Sequence, residues 1–541
     1  MMEYNGIVVD IVNKTRFKGK VTVDGGIIKS IEKFDNAENC YILPGFVDSH
    51  IHIESSMLSP QNFATEAVKH GTVAVVSDPH EIANVLGVDG VDYMIDDSKK
   101  SPMKFYFGAP SCVPATDFEN SGARLDTYEV DELLKRDDIY FLSEMMNFLG
   151  VVKKDTEVMR KIQSAKLANK KIDGHGPGLR GIDLKKYIEA GIQTDHECFS
   201  YEEAVEKINL GMKIQIREGS AARNFDNLYK LIDDYPDMVM LCSDDLHPDD
   251  LVKGHINLLI EKSLNKGLDL FNILRAVIYN PIMHYDLSVG MLQVGDNADF
   301  VIVKDLMKLK IQKTIIDGEE VYNNGSVLIQ PEKPRVLNNF YTNKVDKDSF
   351  KIEKIGTKAK VIEIIDGELV TRQSVFKLNP KERFVSSDIE NDILKISVIN
   401  RFSKESPSVG LVKGFNLKRG GLISSIAHDS HNIIAVGTED DILKELVLWV
   451  QDKKGGIAIH DGNAIFGLSL PIAGIISDLT AIEAAEKYRD LNTKVKALGS
   501  QLRAPFMTLA FMSLLVIPEL KIGNKGLFDV NSFCYTNMFV D

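Results

Sequence analysis

Two histidines, His50 and His52, sit two residues apart at the end of an apolar run, LPGFVDSHIHIESSM (residues 43–57), with Asp48 before them and Glu54 after. Residues two apart in a strand project to one face. Both imidazoles therefore point the same way, and such a pair chelates Zn, Fe or Mn. Alone, an H-x-H pair is weak evidence, the plainer alternative being two hydrogen-bonded histidines at a core edge. Other apolar runs end the same way. Glu144 ends IYFLSE, His175 ends KKIDGH, His196 ends GIQTDH and Asp244 ends MVMLCSD. Each has its own structural explanation, as a hydrogen-bonded carboxylate or imidazole. Five run ends that all supply metal-type donors are not explained that way.

Strands whose ends converge must position those donors. From Tyr41 to about Asp286, short apolar runs ending in polar residues alternate with amphipathic stretches, the pattern of repeated βα units. The candidate strands are VDSHIH, TVAVVSDPH, MKFYFGAPSC, IYFLSEMMN, KKIDGHGPG, GIQTDHE, MKIQIREGS and MVMLCSDDLHP. Eight units in about 245 residues predict an α/β fold, a (β/α)8 barrel over 41–286 with its chemistry at the C-terminal strand ends. Residues 1–40 read as strands of a small β domain, with a hairpin at Asp24-Gly25-Gly26. GMLQVGDNADFVIVKD and IQKTIIDGEEVYNNG return to strand texture, so 287–342 complete that split domain and lead to a linker. NKVDKDSF (343–350) is polar and reads as linker. Residues 343–541 predict a separate α+β domain, with strands in KAKVIEIIDGEL, DILKISVINRF and NIIAVG and a helix in IEAAEKYRDLNTKVKALGSQL.

The chain has 541 residues, 44% hydrophobic and 26% charged, an ordinary globular balance. Its net charge of -14 argues against a nucleic-acid partner, which needs a basic face to displace counterions. The five cysteines, Cys40, Cys112, Cys198, Cys242 and Cys534, form no C-x-x-C pair, which favours a reducing compartment over a disulfide framework. MMEYNGIVVDIVNK lacks the apolar core of a signal peptide. FMTLAFMSLLVIP (506–518) is too short to span a bilayer. The expectation is a cytoplasmic protein with no membrane partner.

H-x-H on the first strand, single histidines on the fifth and sixth and an aspartate on the eighth resemble the amidohydrolase superfamily. The finer resemblance is to the bacterial-type adenine deaminases. It rests on PGFVDSHIHIESSM, SDPHEIANVLG, DGHGPGL, TDHE, REGSAARN, CSDDLHP and GHI in the barrel region, and on GFNLKRGG, AHDSHNIIAVG, LPIAGIIS and PFMTLAFMSLLVIPELKI beyond it. It covers nearly the whole chain. The resemblance implies a binuclear divalent metal centre, Mn(II) or Fe(II) favoured and Zn(II) possible. His50, His52, His175, His196 and Asp244 would be ligands, and Glu144 would bridge the metals where many relatives use a carboxylated lysine. No lysine ends IYFLSEMMN; Lys153 and Lys154 lie well beyond it. The implied reaction is hydrolytic deamination of adenine to hypoxanthine and ammonia, for purine salvage. A hydroxide formed between the metals would attack C6. Asp244 would carry its proton towards the leaving amine. Glu54, Asp78, His80, Glu218 and Asp245 are the candidates for a second acid near N1. The resemblance also implies a homo-oligomer, a dimer or larger.

The nearest rival is a dihydropyrimidinase-like enzyme acting on a cyclic amide, whose relatives normally carry the lysine absent here. A non-catalytic relative would have lost ligands, and none is missing. The zinc deaminases that combine H-x-E with P-C-x-x-C are excluded, because no PCxxC exists. His80-Glu81 does not extend to H-E-x-x-H. In SDPHEIANVLG, Asp78 fits an N-cap, Pro79 the first helical position and Glu81 a capping-box partner. Arg217 and Glu218 read either as a rim ion pair or as substrate-positioning residues, with Ser220 offering a hydrogen bond to a purine nitrogen. His428, Asp429 and His431 in AHDSHN are a possible extra metal site, a lid, or a hydrogen-bonded turn. His247 either orients substrate or starts a turn, and His255 reads as a helix-face residue.

Overall fold

The computed structural model describes residues 1–220, 222–379 and 383–540. The chain divides into two compact units: residues 1–80, 91–112 and 125–334 form one, and residues 81–90, 113–124 and 335–541 the other.

In the first unit, β1 (Met2–Asp10), β2 (Thr15–Asp24), β3 (Ile27–Lys33) and β4 (Tyr41–Pro44) precede eight parallel strands. These are β5 (Phe46–Ile51), β6 (Thr72–Ser77), β7 (Lys104–Ala109), β8 (Ile139–Met145), β9 (Lys171–Gly174), β10 (Thr194–Asp195), β11 (Lys213–Arg217) and β12 (Val239–Cys242). β5 to β9 form one parallel run and β10 to β12 another. The Gln193 N–H donates to the Ile172 carbonyl (2.9 Å) between the runs. At the other seam the Asp244 N–H donates to the His50 carbonyl (3.0 Å). The sheet thus curls into a barrel, and β5 and β6 are buried along their whole lengths, as a sheet covered on both faces requires.

β13 (Phe300–Val303), β14 (Ile311–Ile316), β15 (Glu319–Asn323) and β16 (Ser326–Val327) follow the barrel and join β1 to β4 in one sheet, in the order β16-β15-β14-β13-β4-β1-β2-β3. The join is β13 running antiparallel to β4, Phe300 opposite Pro44 and Val303 opposite Tyr41. Tyr4 and Phe300 meet edge to face across it, centroids 5.0 Å apart. Between β2 and β3 the turn residues Gly25 and Gly26 take φ of 59° and 80°. That double positive φ is what a tight hairpin needs and what an Asp-Gly-Gly turn supplies.

The second unit is built on a mixed eight-stranded sheet, with Ile393–Ile399, Ile433–Gly437 and Gly421–Ser424 towards its centre. The helix Asp440–Lys453 buries Leu443, Leu446, Val447 and Val450 in one core with Ile423, Ile433, Ala435 and Ala458. A second helix, Ala481–Ala497, starts at a capping box between Thr480 and Glu483 and stops before Gly499, which takes φ of 118°. It therefore ends sooner than the polar-apolar pattern through Leu502 suggests. The stretch 343–350, linker-like by composition, is packed. Asp346 caps a short 3₁₀ turn, Lys347–Phe350, that buries Phe350 completely and Val345 almost so in that same core.

Candidate active site

The C-terminal ends of the barrel strands bring the predicted donors together around Glu144, the sixth residue of β8. Glu144 Oε2 lies 3.0 Å from His196 Nε2, 3.1 Å from His175 Nδ1 and 3.8 Å from His50 Nε2. Its Oε1 lies 3.6 Å from His80 Nδ1 and 3.8 Å from His52 Nε2. Asp244 Oδ1 faces the same space, 3.3 Å from His52 Nε2 and 3.6 Å from His50 Nε2. The rings of His50 and His196 stack with centroids 4.2 Å apart. Donor atoms of His50, His196 and Asp244 cluster within 4.8 Å, as do those of His50, His52 and Glu144, of Glu144, His175 and His196, of His52, Asp78 and His80, and of His52, Asp244 and Asp245.

Two features of this cluster fit a metal-ligand set. Among the described residues, both ring nitrogens of His50 are buried without a hydrogen-bond partner, and so is His196 Nδ1. Buried imidazole nitrogens left unbonded beside carboxylates are costly unless a cation lies between them. The donors are also aimed: His52 Nδ1 bonds the Asp78 carbonyl (3.0 Å), which leaves Nε2 for the centre.

Backbone geometry sets Asp244 as well. It takes φ of 56°, a left-handed conformation that aspartate tolerates better than most residues. Its N–H donates to the His50 carbonyl and its carbonyl accepts from the His52 N–H (3.4 Å), so the exit of β12 is tied to both ligands of β5. On the far side of the carboxylate, Arg217 NH1 donates to Asp244 Oδ2 and also meets Glu197 Oε1. Arg217 is buried and pairs inward, not with Glu218 on a rim. Residues adjacent along a strand face opposite ways, and the Glu218 carboxylate meets Lys262 (2.9 Å) instead.

Charge stabilisation follows. Burial opposes ionisation of Glu144, but His175 and His196 outweigh it and hold the carboxyl well below its ordinary value. Asp244 is likewise held low against burial, chiefly by Arg217. Burial lowers the His175 pKa, and the Glu197 and Glu144 carboxylates more than reverse this, to about 9. Below the ligands, burial raises the Asp173 carboxyl to about 7, and the Tyr285 hydroxyl donates to it (2.8 Å).

The remaining predicted residues divide. Asp78 and His80 stay with the cluster, paired through His80 Nδ1 and Asp78 Oδ2 (3.1 Å). Asp245 accepts from Ser55 Oγ (2.6 Å), and Glu54 is buried in the 3₁₀ turn Ile53–Ser56 that follows β5. Ser220 Oγ donates to Asp250 (2.7 Å) and accepts from the His247 N–H (2.8 Å); its neighbour Ala221 lies outside the described residues. Asp78 Oδ1 accepts from the His80 N–H (3.1 Å) as an N-cap does. The capping box is not formed, since the Asp78 N–H donates to the Ile51 carbonyl (3.1 Å). Glu81 belongs to the second unit, where its carboxylate meets His428 and His431.

Four partners escaped the sequence reading. Glu197 directly follows His196 in TDHE and lies 3.5 Å from its Nε2. Asp48, on the same face of β5 as His50, accepts from His255 Nε2 (2.8 Å) and the Ser243 N–H (3.1 Å). His255 is thus a buried link, with Nδ1 on the Thr72 hydroxyl (2.7 Å), rather than a helix-face residue. Lys207 anchors Asp195 (2.9 Å) just before His196. The alternation of β5 was the available signal for Asp48; nothing local pointed to His255 or Lys207.

Residues 41–321 match the model of the amidohydrolase family, and residues 368–534 match that of the adenine deaminase C-terminal domain. The chain is 53% identical to an adenine deaminase of Methanosarcina mazei over 100% of both chains. It is 51% identical to one from a Sulfurovum species over 98% of each chain, and 47% identical to one from Borreliella burgdorferi, again over 98% of each.

Proposed function

Because the chain belongs to the adenine deaminases of the amidohydrolase family, we propose that it hydrolyses adenine to hypoxanthine and ammonia at the barrel's C-terminal strand ends. The observation that carries this reading is the ring of imidazoles around one buried carboxylate, Glu144, with Asp244 opposite. His50, His52, His175, His196, Glu144 and Asp244 would hold two divalent ions, and Mn(II), Fe(II) and Zn(II) all suit such donors. The chemistry such ions supply is activation of water at neutral pH.

In the reaction, water oxygen bonds to C6 and the C6–N bond breaks. Of the two protons water brings, one leaves with the amine as ammonia and the other ends on N1. Asp244 is suited to the first transfer. Arg217 occupies its Oδ2, so Oδ1 is the atom that receives a proton and passes it to the departing nitrogen. Among the acids considered for N1, Asp78, His80 and Asp245 lie with the cluster, whereas Glu218 is engaged by Lys262. Of these, the paired Asp78 and His80 are proposed to meet the purine ring, with Asp245 the alternative. A role in purine salvage is part of the same reading.

The test is ammonia release from adenine by the full chain, stripped of metal and reloaded with Mn(II), Fe(II) or Zn(II). Metal-dependent ammonia, matched by hypoxanthine, is expected. No ammonia with any of the three ions would overturn the substrate assignment.

A further inference from the structure

A second convergence of imidazoles on a carboxylate lies wholly within the other unit. Glu81 comes from the short helix His80–Leu86, and His428 and His431 from the turn that precedes the strand Ile433–Gly437. His428 Nδ1 stands 2.9 Å from Glu81 Oε1, and His431 Nε2 meets Glu81 Oε2. Each oxygen of one carboxylate thus faces a different imidazole. The ring centroids are 5.7 Å apart, and Phe511 stacks on His428 (4.8 Å) and covers it with apolar surface. All three side chains are buried.

An ordinary ion pair does not account for this arrangement. His431 is 1% exposed, yet among the described residues neither of its ring nitrogens has a partner that meets hydrogen-bond geometry, although Nε2 lies against Glu81. Asp429, between the two histidines in sequence, has a buried oxygen, Oδ2, that is also without a partner, while its Oδ1 lies 3.6 Å from His428 Nδ1. Buried polar atoms left in this state cost on the order of 1–3 kcal/mol each, and an ion is one of the few remedies. His50 in the barrel shows the same combination: a fully buried ring, carboxylates around it, neither nitrogen hydrogen-bonded.

We propose that Glu81, His428 and His431 bind one divalent transition-metal cation, in a site that shares no ligand with the barrel cluster. Two imidazoles and a carboxylate are a donor set that Zn(II) and Fe(II) accept with a coordination position left open. Asp429, whose Oδ1 lies 3.6 Å from His428 Nδ1, is a further carboxylate placed to fill it. The spacing His-x-x-His supplies both rings from one turn, and Glu81 closes the set from a distant part of the chain.

The test uses the full-length chain and Zn(II) alone. Crystals soaked in Zn(II) and measured at the zinc absorption edge are expected to show an anomalous peak between Glu81, His428 and His431. No peak there, with zinc present at the barrel cluster, would overturn the proposal. In solution, metal-stripped protein dialysed against Zn(II) should hold one more equivalent per chain than the isosteric variant Glu81→Gln. A chain carrying His50→Ala and His52→Ala should keep that equivalent. Equal zinc in the wild type and Glu81→Gln would sink the site without touching the deaminase reading, which is assayed by ammonia.

Discussion

Arg217 donates in three directions: Nε to the Ala222 carbonyl (2.7 Å), NH1 to Asp244, and NH1 to Glu197. A lysine would keep the charge and lose the fork, because an ammonium is a point charge on a flexible stem. Arg217→Lys should therefore leave the fold and the metal content close to wild type and lower deaminase activity about 10–100-fold, the usual effect of losing a group that orients a ligand. Wild-type turnover in that variant would remove Arg217 from its positioning role. Asp48 acts one layer deeper. It accepts from the His50 N–H (3.2 Å), the Ser243 N–H and His255, so one buried carboxylate braces both ends of the β5–β12 seam. The donors at the mouth were legible because each interrupts an apolar run. Their braces were not, since an aspartate inside a strand has the same appearance whether it faces a ligand or another side chain.

Among the elements, the barrel strands could be read because each polar ending falls where an apolar run stops. β10 is the exception in degree: only Thr194 and Asp195 are paired as strand, and the following His196 and Glu197 already turn towards the site. The 3₁₀ turn Lys347–Phe350 was hidden by its composition. Five of the eight residues in NKVDKDSF are charged or amide side chains, and the single aromatic that anchors them comes last. Phe350→Ala should cost about 3–5 kcal/mol in denaturant unfolding of the second unit. Lys347→Ala, whose side chain is 60% exposed, should stay within about 0.5 kcal/mol of wild type. Equal effects from the two changes would mean that the segment is a tether and not part of the core.

At the scale of the whole chain, stability should respond to pH through Lys521. Its amine is buried, donates to the Leu369 (2.7 Å) and Phe511 (3.1 Å) carbonyls, and pairs with no carboxylate among the described residues, so burial pushes its pKa from 10.5 down to about 7. Between those two values the unfolded chain holds a proton that the folded chain has released. Stability therefore rises with pH in that window, by at most about 1.4 kcal/mol per unit. Below the window both states are protonated and the burial penalty is constant. Thermal unfolding of wild type and Lys521→Met between pH 7 and 10 should diverge, the wild type gaining on the variant as pH rises; parallel curves would contradict the assignment. None of the described helices is long and apolar enough to cross a membrane. The mixed sheet of the first unit has one more consequence, for synthesis. β4 is flanked by β1 and by β13, yet β13 leaves the ribosome roughly 250 residues after β4, about 12 to 50 seconds at about 5–20 residues per second. During that interval the edge of β4 that faces β13 in the finished sheet has no partner strand. A nascent chain stalled before Phe300 would present an open, apolar strand edge, the kind of surface that chaperones hold and that aggregates seed from.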